Sequence, residues 1–157
     1  MDMDTQDTKD TQDTQDTKDT QGSEAASEAV DTQSISKYID MCILNSTHFD
    51  IANVVHIYLK DKHRYVENNT WEYLKTDVIT GSSEWVIDDN NGQLSYSIRT
   101  IVCRAFTDRS LYWADTRESD IYPNTEIISN RLLNISSKLK DNKYICVLIK
   151  ECKQFFS

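Results

Sequence analysis

Glycine is nearly missing from this chain, with three residues in 157, and no GxxxxGK[ST] loop occurs. A phosphate cradle built from backbone amides needs glycine where the main chain closes on its ligand, so P-loop nucleotide chemistry is excluded. No CxxC pair occurs either. Cys42, Cys103, Cys146 and Cys152 stand apart, with no histidine at a metal-ligand spacing, and are expected to be buried or half-buried thiols in a reducing compartment. Asp2 and Asp4 occupy the place where a secretion signal carries a cation before an apolar run. No stretch approaches the roughly 20 apolar residues that cross a bilayer, so a soluble protein with no membrane partner is expected. Basic charge is short as well: the formal net charge is −9, which leaves no nucleic-acid footprint in the average.

What is present begins with a repeat. From Asp4 to Gln21 run six tandem triplets of Asp-Thr-Gln or Asp-Thr-Lys, and a seventh, Asp31-Thr32-Gln33, follows a Ser/Glu/Ala spacer. A three-residue period matches neither helix nor strand, and a segment without apolar side chains has nothing to set against the entropy of ordering. Residues 1–34 are therefore expected to be a disordered tail, and residues 35–157 one domain. The acidic excess belongs to the tail: residues 1–33 carry a net −8, leaving about −1 for the remainder. A solvated spacer is the simplest role. The other is a regulated one, through phosphorylation of the Thr-Gln pairs or occupation of a cationic surface in place of nucleic acid.

Hydrophobic periodicity then organises the chain around residues 47–75. Tyr38, Ile39, Cys42 and Ile43 recur at helical spacing, and Ile51, Val54, Val55, Tyr58 and Leu59 form a longer core stripe. Thr47, three residues before Asp50, predicts a capping box at the start of that second helix. The basic Lys60-Asp-Lys-His-Arg64 suits its negative end. Tyr65-Val66 and Trp71-Glu-Tyr-Leu74 flank Glu67-Asn68-Asn69 and predict a hairpin, with a third strand at Glu84–Ile87 after the loop Thr80–Ser83. Asn91-Gly92 marks a turn. Further helices are expected with core stripes at Leu94, Ile98, Ile101, Val102 and Ala105; at Ile128, Leu132, Ile135 and Leu139; and, capped by Asp141 and Asn142, at Tyr144, Leu148, Cys152 and Phe155. The fold class is α+β: a mainly helical small domain with a short antiparallel three-stranded hairpin unit.

No catalytic, cofactor-binding or metal site is expected. The histidines His48, His56 and His63 lack an acidic or thiol partner to complete a set, no serine or cysteine has an activated setting, and Asp2-x-Asp4 lies in the tail. A contact surface is expected instead. Lys60, Lys62, His63 and Arg64 immediately precede Tyr65, with Trp71, Tyr73 and Trp85 on neighbouring strands. Cations neutralise phosphates and aromatic rings stack bases, so this set is the candidate for nucleic-acid or partner contact. The competing expectation is ordinary: aromatics of a small sheet packed under a helix, and cations serving the helix dipole.

These residues also carry a resemblance. Thr47-His-Phe-Asp-Ile-Ala52, Tyr58, Lys60-Asp-Lys-His-Arg64, Trp71-Glu-Tyr73, Trp85, and Leu94 followed by Arg99 resemble the segment preceding the superfamily III helicase module in poxvirus-type primase-helicases of large DNA viruses. Lys138-Leu-Lys-Asp-Asn-Lys-Tyr144 and Ile149-Lys-Glu-Cys-Lys153 with Phe155 continue it. In that family the segment is a helical region beside an ATPase ring, positioning ring and primase on DNA. The resemblance implies a viral protein of DNA replication in the infected cell, in a cytoplasmic viral factory or the nucleus, with a primase-helicase or DNA as partner. It carries over no activity, because Ser157 falls where the helicase would begin and the repeat tail stands where the primase would be. A remnant of such a gene with no retained activity is the alternative.

Overall fold

Asparagine takes the place of glycine at the turns. In the computed structural model, which describes residues 34–45 and 47–157, the non-glycine residues with positive φ are all Asn: Asn68 (54°), Asn69 (62°), Asn90 (55°), Asn91 (57°) and Asn124 (61°). Its short amide side chain makes the left-handed region tolerable. Two consecutive left-handed residues give the primed turn that matches strand twist. Accordingly Thr70 N–H donates to Glu67 O (3.0 Å) and Val66 N–H to Thr70 O (2.9 Å), closing the hairpin around Asn68-Asn69. Of the tail expected over residues 1–34, residues 1–33 lie outside the described residues and Ser34 is already helical.

The architecture is the expected α+β, mainly helical with one three-stranded antiparallel sheet in the order β1-β2-β3. Helix α1 covers 34–45 and α2 His48–Leu59. The strands are β1 His63–Tyr65, β2 Trp71–Thr76 and β3 Ser83–Ile87. A 3-10 turn, Asp89–Asn91, leads into α3 Gly92–Ser97. One π turn, Ile98–Val102, then runs into α4 Cys103–Asp115, followed by α5 Thr125–Lys138 and α6 Asn142–Phe156. Lys37–Ser157 forms one compact unit, in which α4 packs on α5 and α2 on α6.

Thr47 does cap α2, in a form different from the expected box. Its hydroxyl accepts from Asp50 N–H (3.3 Å) and donates to Asp50 Oδ2 (2.8 Å), so the carboxylate takes the hydroxyl and not the Thr47 amide. Ile51, Val54, Val55 and Leu59 are buried as the stripe predicts; Ala52 joins them and Tyr58 is only half-buried. The basic run ends the helix sooner than expected. Lys60 is the C-cap, and His63 and Arg64 are already strand residues.

The π turn changes the phase of the next stripe. A straight 3.6-residue period puts Ile101 inside, but one extra residue in the turn leaves Ile101 exposed and buries Leu94, Ile98, Val102 and Phe106. Helix α4 then meets α5 through small polar side chains, which let the two backbones approach. Thr107 and Ser136 share a hydroxyl contact (2.6 Å), and Ser110 and Ser129 each donate to the other's carbonyl (2.8 and 2.9 Å). Asp40 on α1 ties α4 down, accepting from Arg109 Nε and Nη2 (2.9 and 2.7 Å) and from Trp113 Nε1 (3.1 Å). On α6, Phe156 takes the buried place expected of Phe155.

His63 is the one histidine taken into the core. It is 5% exposed, its Nε2 lies 3.0 Å from Ser97 Oγ, and its Nδ1 has no partner. Burial pushes its pKa below the usual 6.5, with Lys62 acting in the same direction and Asp88 opposing. The unfolded chain then binds the proton more readily than the folded one, so stability is complete above about pH 6.5 and declines as pH falls toward the folded value. The urea midpoint is expected to drop between about pH 7.5 and about pH 5, and His63→Gln to flatten that slope. An unchanged slope in the variant would assign the dependence elsewhere, with His56 first in line because burial lowers its pKa too.

Candidate functional site

The pairing register decides which side each contact residue takes. His63 pairs with Tyr73, Arg64 with Glu72 and Tyr65 with Trp71; across the other seam Tyr73 pairs with Val86, Leu74 with Trp85 and Glu72 with Ile87. Paired residues share a face and neighbours along a strand alternate. His63, Tyr65, Trp71, Tyr73 and Val86 therefore belong to one face, which turns inward: Trp71 meets Phe156 of α6 (5.1 Å) and His63 meets Ser97. Arg64, Glu72, Leu74, Trp85 and Ile87 belong to the outer face. Leu74 N–H donates to Lys62 O (2.8 Å), extending the ladder by one pair and putting Lys62 on the outer face as well.

The expected contact set is thus split by the sheet. Trp71, 1% exposed, belongs to the core and is unavailable to stack a base; it packs edge-on against Tyr65 (5.3 Å) and Phe156. Tyr65 and Tyr73 are half-buried on the same inner face, and Tyr65 Oη accepts from Asn69 N–H (3.0 Å). Lys60 is exposed at the α2 C-cap. Lys62 and Arg64 reach the outer face, where Arg64 lies over the Trp85 ring (4.2 Å) and pairs with Glu72 (2.7 Å). Leu74 and Ile87 complete that face, and residue types close together in sequence gave no hint of them. Strand alternation, counted from the hairpin turn, is the signal that separates the two faces.

The outer face is chemically a cation–aromatic platform with an apolar margin. Arg64 and Ile87 are exposed, Leu74 and Trp85 half-buried. Lys62 and Arg64 against Glu72 leave a local charge of about +1. An exposed Arg–Glu pair contributes roughly 0–1 kcal/mol, so exchanging Glu72 for another anion costs the fold little. The Arg64 guanidinium beside the indole is an arrangement that serves either a phosphate or an aromatic base.

No protein-family model and no curated protein matches this chain.

No group of three or more His, Cys, Asp or Glu among the described residues could hold a metal ion. Cys42, Cys103 and Cys152 are buried and Cys146 is exposed, all as free thiols. Burial first, then Asp50 and Asp40, push the Cys42 thiol up to about 12, and burial does the same for Cys152, also to about 12, which keeps both as unreactive thiols. His48 stacks on Tyr144 (4.7 Å) and His56 packs against Phe155 and Phe156. Among the described residues, no helix is long and apolar enough to cross a membrane.

Proposed function

We propose that this chain is a non-enzymatic accessory domain of DNA replication in a large DNA virus, binding a primase-helicase or the DNA it works on. The supporting observation is the outer face of the sheet, where Lys62, Arg64 and Trp85 come together beside Leu74 and Ile87. The motif resemblance over residues 47–157 supplies the partner class. A cation pair beside a ring suits a single strand: the charges take phosphates and the ring takes a base once Arg64 slides aside. Lys60, exposed at the α2 C-cap, adds a third cation two residues before Lys62.

The test is a titration of the full chain with a labelled single-stranded oligonucleotide, alongside co-purification with a primase-helicase from infected cells. Binding is expected at about 50 mM salt and to fall steeply by about 200 mM. Changing Lys60, Lys62 and Arg64 together to Glu is expected to weaken whichever association is found by at least roughly tenfold. Trp85→Ala is expected to weaken oligonucleotide binding by roughly 5- to 100-fold. Finding neither oligonucleotide retention at low salt nor co-purification would remove the proposal; binding indifferent to these variants would move it off the sheet.

A further inference from the structure

On the inner side of the sheet, a cleft of about 290 Å³ opens between the Asn68-Asn69 turn, the 3-10 turn before α3, and α6. Its lining mixes amide, hydroxyl and ammonium groups with Ile149 and Trp71. Trp71 forms part of the wall, and its indole Nε1, buried with a side chain 1% exposed, has no partner. Lys150 and Lys153 line the same cleft from successive turns of α6. Lys153 donates to Asn69 Oδ1 across the mouth and sits over the Tyr65 ring (5.6 Å). No Asp or Glu is among the lining residues.

A buried N–H without an acceptor costs free energy in the empty protein, about 1–3 kcal/mol, and two ammonium groups on one wall with no carboxylate opposite add mutual repulsion. An anion relieves both. The cleft is larger than a bare oxyanion requires, and Ile149 with the Trp71 ring supplies apolar wall for an organic body. Asparagine amides around the mouth add donors and acceptors for its polar edge.

We propose that this cleft binds a small organic phosphate of about the size of a nucleoside monophosphate. The phosphate dianion lies between Lys150 and Lys153 and accepts from the Trp71 indole N–H, displacing Asn69 from Lys153. Its donors are side chains, so the near absence of glycine is no obstacle. The site is on the face opposite Arg64 and Trp85, and stands or falls separately from binding there.

The probe is adenosine monophosphate added to the full chain, with two readouts. The first is saturable chemical-shift change centred on Trp71 Nε1–H and the α6 amides. The second is protection of Cys146, the exposed thiol that lines the cleft, from iodoacetamide. Lys150→Gln with Lys153→Gln is expected to weaken binding by at least about tenfold. Trp71→Phe keeps an aromatic ring and removes the N–H, and is expected to weaken it by roughly 2- to 10-fold; a parent-like far-ultraviolet circular dichroism spectrum and a cooperative melt in both variants show that the fold is retained. Adenosine without phosphate is expected to leave Cys146 unprotected. Absence of saturation at millimolar nucleotide overturns the proposal, as does affinity unchanged in the lysine variant. Citrate competing as well as the nucleotide overturns the assignment to phosphate.

Discussion

Trp71→Ala is expected to lower the melting temperature of the domain by roughly 10–20 °C, the equivalent of about 3–5 kcal/mol. The side chain is among the largest that are fully buried, wedged edge-on between Tyr65 and Phe156. Truncation removes its transfer free energy and leaves a cavity that β2, pinned by pairing on both edges, has little freedom to close. Against a typical total of 5–15 kcal/mol, that is a large share of the stability. The same substitution at half-buried Trp85 is expected to cost no more than about 1.5 kcal/mol, because much of that ring meets solvent in the folded state already. The contrast separates the two roles of aromatics in this sheet: one tryptophan holds the fold and the other faces outward. Thermal denaturation followed by far-ultraviolet circular dichroism checks it. A loss of only a few degrees for Trp71→Ala would mean that Trp71 is accessible after all, as its place beside the basic run in the sequence first suggested.

How much was legible in the sequence follows from which periods survive folding. The 3.6-residue stripe of α2 is regular, so Ile51, Val54, Val55 and Leu59 could be read directly, while Tyr58 on the same stripe is only half-buried. The hairpin was legible because Asn68-Asn69 is turn chemistry that needs no tertiary support. The stripe through α3 and α4 failed at Ile101, since a π turn has no sequence signature in a 3.6-residue count. The α4–α5 seam was invisible for another reason: Ser110, Ser129 and Ser136 count as polar in any hydrophobicity pattern, yet they are buried because Ser110 and Ser129 satisfy one another and Ser136 bonds Thr107 and Cys103. The contact surface was half legible. Proximity along the chain grouped Lys62 and Arg64 with Tyr65, Trp71 and Tyr73, but a strand sends neighbours to opposite sides. Only the register, Leu74 against Trp85 and Arg64 against Glu72, shows which cations and which ring share a face.

Replacement of Asp88 is expected to be the most damaging single change of a polar group in the domain. Helix α3 begins after Asn91, whose own side chain makes no capping bond. The cap comes from Asp88, three residues earlier: Oδ1 accepts from Gln93 N–H (2.8 Å) and Oδ2 from Leu94 N–H (2.9 Å). Its backbone N–H donates to Trp71 O (2.8 Å), and its carbonyl accepts from Asn91 N–H (3.2 Å). One buried carboxylate thus joins the end of β3 to the start of α3 and sits where the helix dipole favours negative charge. In Asp88→Ala both amides lose their acceptor. Gln93 is exposed and rehydrates, whereas Leu94, fully buried, does not. An orphaned buried amide, a lost cap and a lost charge–dipole interaction together are expected to cost about 2–4 kcal/mol. Asp88→Asn is the control. It retains one acceptor and turns an amide donor toward the second N–H, so it is expected to recover only part of the loss. Urea denaturation measures both variants, and hydrogen exchange at Leu94 locates the effect: protection at that amide is expected to collapse in Asp88→Ala before protection in α2 does. Equal stability of Asp88→Ala and the parent would mean that α3 is held by packing of Leu94 and Ile98 alone.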